Sequence, residues 1–324
     1  MRTKRRFGQW GIAFLALVVG SLIMATMSTA QPAAKKRITL ISGTESDDFY
    51  KAIECGAKTE ARKVGVDLNI QGPSQFDASL QIPIVNGVVA RKPDAIIIAP
   101  NDDTALYPPL KAATDKGIKL VLVDTSLKNA KIAAGHIGSD YVLYGVQGAR
   151  KLAQLIGGEG TVLGIFAPPG VSTNDLGRKG MAQELKRWPK IKLLPWQFSS
   201  GAPGKSAAIV SAVRAAHSDL KGIFTYNGGD SEGVVTALRQ AGASLKITFV
   251  SGDAQPFQVE QLKKGAVKAL VVQQANQMGV LAVDYALRAI GGKSVPRETA
   301  IPTIVGTLKN LASPAVSRNL YRPC

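Results

Sequence analysis

Histidine and cysteine are scarce in this chain: two of each among 324 residues. Cys55 and Cys324 are too few for a disulfide framework or a Cys-rich zinc site. The histidines, His136 and His217, stand in no H-E-x-x-H motif and beside no nucleophile elbow. His217 falls near the end of a helical stretch, a solvated position, and His136 is expected in a linker or hinge between two halves of the chain. No P-loop occurs, and Gly157-Gly158-Glu159-Gly160 precedes a strand instead of following one, so it is not a dinucleotide fingerprint. No catalytic residue, metal ligand or cofactor site is therefore expected. The 33 Gly lack a triplet period and 17 Pro are scattered, which excludes collagen-like and coiled-coil chains. With 45% apolar residues, wholesale disorder is excluded too. The length suits two domains of roughly 150 residues each.

The N-terminus has cations and no acid. Arg2, Lys4, Arg5 and Arg6 precede an apolar stretch over residues 11–25, and Ser28-Thr29-Ala30 places small residues before Gln31. This is the three-part pattern of a cleaved secretory signal peptide, residues 1–30. The apolar run is short for a membrane span of about 20 residues, and no cysteine follows it to carry a lipid. The whole chain has a formal charge of +17; without the first thirty residues 36 Lys and Arg face 23 Asp and Glu, leaving +13. Such a balance raises nucleic-acid binding, but the cations are scattered over helix faces and export removes the protein from the genome. The expectation is an exported soluble protein that binds no nucleic acid.

From Lys35 onward strands and helices alternate. Residues 37–42 are β-type. Asp47 or Asp48 can cap a helix whose apolar side chains recur through Val64, and Gly65 is placed to end it. A strand at 66–70, a helix at 79–91, an apolar strand at 95–99, a helix at 106–116 and a strand at 119–124 follow. The alternation then restarts: helices at 143–156, 176–188, 206–216, 231–240, 258–264 and 278–290 separate strands at 161–166, 191–198, 222–226, 247–251 and 269–273. Pro195 marks the strand at 191–198 as an edge. Repeated β–α–β units predict parallel sheets with helices on both faces. The fold class is thus α/β, two doubly wound domains side by side.

In open sheets of this kind ligands bind beyond the carboxyl ends of the strands. Asp47, Phe49 and Tyr50 follow the first strand, and Asp124 follows the fourth. In the second half Asn227 ends one strand, Asp253 follows another and Gln273 ends the next. Carboxylates accept hydrogen bonds from hydroxyls, amides donate and accept, and aromatic faces cover the C–H face of a sugar ring. The mixture suits a neutral polyhydroxylated ligand and lacks the clustered cations that phosphates need. Because Phe49 and Tyr50 are adjacent, they diverge on a helix and one is expected in the core.

Over residues 37–311 the chain resembles the ribose-binding-protein-like, type I periplasmic binding proteins that serve ABC importers. The resemblance rests on ITLISGTESDDFYKAIECGAKTEA, PDAIIIAPNDDTAL, GIKLVLVDTSL, GIFTYNGGDSEGVVTALRQAG and VKALVVQQANQMG, in that order. The lactose-repressor family shares the fold, but here a signal peptide stands where a helix-turn-helix would be. The resemblance implies ligand-binding roles for Asp47, Phe49, Tyr50, Asp124, Asn227, Asp253 and Gln273. It also exposes departures. Ala99 stands where ribose-type members carry asparagine, Thr125 where they carry arginine, and a second arginine falls near Gly177, with Arg178 one step out of register. An aromatic of the second domain is matched only loosely by Trp196 or Phe198.

The resemblance implies a three-crossing hinge, with one lobe at 37–138 plus 274–300, the other at 139–273 plus 301–312, and a tail at 313–324. It implies a monomeric periplasmic receptor, not an enzyme, that closes over a sugar or polyol and delivers it to an ABC permease in the inner membrane. The alternatives are a secreted carbohydrate-acting enzyme and a sensory module presenting ligand, an autoinducer-like furanose included, to a chemoreceptor or sensor kinase. Cys55 belongs on the first helix, and nothing places Cys324 beside it; a bridge is open in an oxidising compartment but is not the expectation.

Overall fold

A computed structural model describes residues 1, 34–199, 201–242, 246–322 and 324. The chain divides into two compact units at Ala34/Lys35, and every element below belongs to Lys35–Cys324. The expected signal segment lies outside the described residues. Among the described residues no helix is long and apolar enough to cross a membrane.

The first half runs β1 (Arg37–Ile41), α1 (Asp48–Val64), β2 (Asp67–Gln71), α2 (Ala78–Ala90), β3 (Ala95–Ile98), α3 (Tyr107–Asp115), β4 (Lys119–Val123) and β5 (Gly135–Ser139). The second half runs α4 (Tyr141–Leu155), β6 (Glu159–Phe166), α5 (Ser172–Leu185), β7 (Lys190–Leu193), β8 (Gln197–Phe198), α6 (Pro203–Ala216), β9 (Leu220–Thr225), α7 (Asp230–Gln240), β10 (Thr248–Gly252), α8 (Pro256–Lys263) and β11 (Ala269–Val272). It ends with α9 (Ala275–Ile290), β12 (Glu298–Ile301), β13 (Ile304–Gly306) and α10 (Pro314–Ser317).

Two sheets result, ordered β12-β5-β4-β3-β1-β2 and β13-β11-β10-β9-β6-β7, with β8 also paired to β6. All pairings are parallel except β11 with β13. Each sheet is covered by helices, so the protein consists of two α/β domains. All four residues of β3 are buried, as a run without polar alternation requires when both faces are covered. Pro195 splits the edge strand into β7 and β8.

The chain passes between the sheets at three places. The first lies between β5 and α4, which packs on β9, β10 and β11. The second lies between β11 and α9, which packs on α1, β3, β4 and β5. The third lies between β12 and β13. Helices α1 and α9 meet through glycine: a Cβ on Gly56 would stand 1.9 Å from the Asn276 carbonyl oxygen, and one on Gly279 equally close to that of Ile53. That close approach fixes α1, and with it Phe49 and Cys55, to the first domain.

Two expectations are corrected here. His136 is not a linker residue: it lies in β5, a strand whose glycines and serine conceal it from propensity, and β12 pairs with it at Glu298. Cys324 does sit beside Cys55, and the two form a disulfide with Cα atoms 5.4 Å apart.

Candidate functional site

The carboxyl ends of both sheets face a cavity of about 450 Å³. All seven residues singled out in the sequence stand on its wall: Asp47, Phe49, Tyr50 and Asp124 from the first domain, Asn227, Asp253 and Gln273 from strand ends of the second sheet.

Asp47 caps α1 and keeps a second task. Its Oδ1 accepts the Phe49 N–H at 2.8 Å and the Gln255 Nε2–H from the other domain at 2.6 Å. Burial raises its pKa above the usual carboxylate value, against the effect of the Phe49 N–H. Asp124 is held from three sides. Tyr50 Oη donates to Oδ2 and Tyr141 Oη to Oδ1, each at 2.9 Å, and His136 Nε2 stands 2.8 Å from its carbonyl oxygen. The other ring nitrogen of His136 lies 2.7 Å from Glu298, so both nitrogens face oxygen acceptors. Burial pushes the Asp124 pKa up to about 6, with the tyrosine hydroxyls opposing.

Asp253 is the counterpart in the second domain. Its Oδ1 accepts from Gln273 Nε2 and from Tyr321 Oη, both at 3.0 Å, and Oδ2 accepts the Gly228 N–H at 3.0 Å. Burial and the neighbouring Asp47 charge raise its pKa to about 7. The Gln273 side-chain Oε1 accepts from Ser139 Oγ at 3.0 Å, so Gln273 joins the first crossing to Asp253. Asn227 faces Asn174 at 3.4 Å.

Phe49 and Tyr50 do not divide between core and cavity. Both are buried in the core and both line the wall, packed edge to face with centroids 5.2 Å apart. Phe76, from the loop after β2, stacks on Tyr50 at 6.3 Å and is a wall aromatic the sequence did not single out. Trp196 packs against Phe166, Phe198 lies under the Arg178 guanidinium, and neither lines the cavity. Arg178 itself pairs with Asp175 and donates to the carbonyl of the wall residue Ala167, but does not line the cavity. No Lys, Arg or His lines the cavity among the described residues.

Two further hydroxyls stand on the wall. Tyr226 Oη and Thr125 Oγ1 are buried without a hydrogen-bond partner among the described residues. Thr173 is near the Tyr226 hydroxyl, yet no hydrogen bond of ordinary geometry joins them. The Tyr226 ring also explains the bare position at Gly177, where a Cβ would stand 2.1 Å from Cε2 of that ring. In the sequence Tyr226 is not singled out and Thr125 is noted only as a departure from the family arginine; each adjoins a strand-end residue that is singled out.

The domains touch around the cavity. Besides Gln255 and Asp47, the Asp103 N–H donates to the Gly170 carbonyl at 3.1 Å and the Ser126 N–H to Ser172 Oγ at 2.9 Å. The arrangement is closed.

Residues 38–294 match the sequence profile of the periplasmic binding protein domain. The chain belongs to the periplasmic binding protein family. This periplasmic binding protein is similar to the D-ribose/D-allose-binding protein of Pseudomonas aeruginosa, 29% identical over 83% of this chain and 86% of that protein. It is similar to the D-allose-binding periplasmic protein of Escherichia coli, 26% identical over 89% of this chain and 95% of that one. A solved ABC transporter solute-binding protein of Agrobacterium vitis, bound with alpha-D-tagatopyranose, superposes with a TM-score of 0.86 at 35% identity, covering 89% of this chain and all of that one. A second from Agrobacterium vitis, with bound D-fucose, gives 0.84 at 28% identity over 88% of this chain and all of its own.

Proposed function

We propose that this periplasmic binding protein captures a neutral sugar or polyol between its domains and delivers it to an ABC permease in the inner membrane. The observation that carries the reading is the cavity wall: carboxylates, amides, two unpartnered hydroxyls and aromatic faces, with no cationic side chain among the described residues. Asp47 and Asp124 accept ligand hydroxyls from one side, Asn227 and Asp253 from the other, Gln273 stands beside the hinge, and Phe49 or Tyr50 covers the ring. The sugars bound by the Agrobacterium vitis proteins and named for the bacterial relatives support this ligand class.

The lobes we assign are 37–138 with 274–300 and 139–273 with 301–312. Opening and closing proceed through backbone torsions at the three crossings, and ligand favours closure because only the closed form lets both lobes touch it. The protein works as a periplasmic monomer after loss of residues 1–30, and it returns its ligand unchanged.

A thermal-shift screen of aldoses, ketoses and polyols tests the reading. A ligand at 100 times its Kd stabilises the protein by about 2.7 kcal/mol. Calorimetry on each hit, with recovery of the intact sugar, completes the test. Absence of any stabilising sugar or polyol, or chemical conversion of a hit, overturns it.

A further inference from the structure

The last twelve residues hold on to both domains. Val316 of α10 is buried, and α10 packs on β13 of the second sheet. Tyr321, also buried, donates its backbone N–H to the Ala254 carbonyl at 3.1 Å and its hydroxyl to Asp253 Oδ1 at 3.0 Å. Its ring lies 5.7 Å from that of Phe49 on α1. Three residues later Cys324 is bridged to Cys55, also on α1. One short segment is thus docked on the end of β10 in the second domain and bonded covalently to a helix of the first.

We propose that the C-terminal tail is a fourth, disulfide-fastened link between the domains, and that its Tyr321 is a positioning residue for the ligand carboxylate of Asp253. The role assigned to Asp253 rests on the sugar-binding reading; the link between domains does not.

Geometry gives the link its length. Three residues span at most about 11 Å when fully extended. While Tyr321 stays docked and the bridge is closed, the Tyr321 and Cys55 backbones cannot separate beyond that reach plus the 5.4 Å between the bridged Cα atoms. The three backbone crossings set the axis of motion, and the tail limits its extent. Reduction by a dithiol breaks the sulfur–sulfur bond: two electrons and two protons give thiols at Cys55 and Cys324, and the reagent leaves as its cyclic disulfide. The tail is then held by Tyr321 and α10 alone, and its undocking would take from Asp253 one of its three donors.

The Tyr321 hydroxyl also bears on which protonation state Asp253 favours, against burial and the Asp47 charge that raise its pKa. Asp47, Tyr144, Tyr226 and Tyr321 face that carboxylate from α1, α4, the end of β9 and the tail. Asp47 opposes its ionisation, and a hydroxyl donor supports it. Removing the donor leaves more of the protonated form near neutral pH.

The test uses the mature full chain. Tyr321→Phe is titrated with a sugar that binds the wild type, at pH 6.5 and pH 8.5. We expect affinity at least threefold weaker at the lower pH and less affected at the higher one; wild-type affinity at both, or an equal loss at both, overturns the positioning role. Small-angle scattering without sugar then compares the oxidised wild type, the same folded sample after dithiothreitol, and the Cys55→Ser/Cys324→Ser protein. Circular dichroism checks that each is folded, and the reduced wild type serves if the double variant does not fold. A larger radius of gyration without the bridge supports the link, and unchanged scattering overturns it. If the wild type binds no sugar, the reading of the cavity and the role of Tyr321 fall together, while scattering still decides the link.

Discussion

Asp124 and Asp253 occupy matching positions in the two domains. Each follows the last residue of a strand, β4 or β10, and each has a left-handed backbone, with φ of 61° and 69°. Each donates its N–H at 2.8 Å to the neighbouring strand, Asp124 to Ile137 and Asp253 to Val271. Aspartate and asparagine tolerate this region better than other residues with a side chain. The paired placement turns two carboxylates into one cavity.

Binding and folding therefore separate by substitution. Asp124→Ala and Asp253→Ala each lose a charge-assisted hydrogen bond worth roughly 1.5–3 kcal/mol, about tenfold or more in affinity. They also place alanine in a strained conformation that costs of order 1 kcal/mol. Asp124→Asn and Asp253→Asn keep the backbone preference and are expected to melt closer to wild type while binding weakly. Calorimetry and thermal melts of the four variants check this; full-strength binding by both alanine variants would remove the two residues from the site.

Much of this architecture was readable because it is local. The AIII of β3, the cap at Asp47 and the stop at Gly65 write their structure within a few residues. The seven wall residues were found because a parallel strand announces its carboxyl end. What escaped depends on distant partners. Cys55 and Cys324 are 269 positions apart, and nothing near either specifies the other. β5 has little intrinsic strand preference and is held by β4 and β12. The significance of Tyr226 and Thr125 lies in what their hydroxyls fail to meet, which appears only once the surroundings are assembled.

Those two hydroxyls carry a prediction with opposite signs for stability and affinity. A buried hydroxyl without a partner contributes nothing to the ligand-free fold and keeps a desolvation cost. Tyr226→Phe and Thr125→Val should leave the ligand-free melting temperature unchanged or raise it. If the ligand supplies the missing partner, each variant binds it more weakly by about threefold to tenfold, the worth of roughly 0.5–1.5 kcal/mol. Gly177→Ala pushes on the Tyr226 ring instead and should lower both stability, by about 1–3 kcal/mol, and affinity.

Stability should also depend on pH through the raised carboxylates. Burial lifts Asp124 to about 6 and Asp253 to about 7, from 3.8. Between those values the folded protein holds protons that the unfolded chain has released, so stability falls as pH rises. Their favourable contribution is complete below about pH 4 and is lost as pH climbs through the folded values. Each unit of such a shift corresponds to about 1.4 kcal/mol. The ligand-free wild type is expected to melt at a higher temperature at pH 5 than at pH 8. Asp253→Asn, which cannot titrate, should show a shallower dependence; an identical slope would place the effect elsewhere.

The disulfide makes the final prediction. It joins α1, fixed to α9 by Gly56 and Gly279, to a tail docked on the second domain. A cross-link over a long stretch restricts the unfolded chain more than a short one, and losing a native bridge typically costs about 2–5 kcal/mol. Cys324→Ser and Cys55→Ser should each lower stability by that order. The double variant should lose no more than either single one, since the pair acts as a unit. Thiol titration of the exported protein under denaturing conditions should find no free thiol before reduction and two afterwards. Free thiols before reduction would mean the tail is held by Tyr321 and α10 alone, and the cysteine substitutions would then leave stability nearly unchanged.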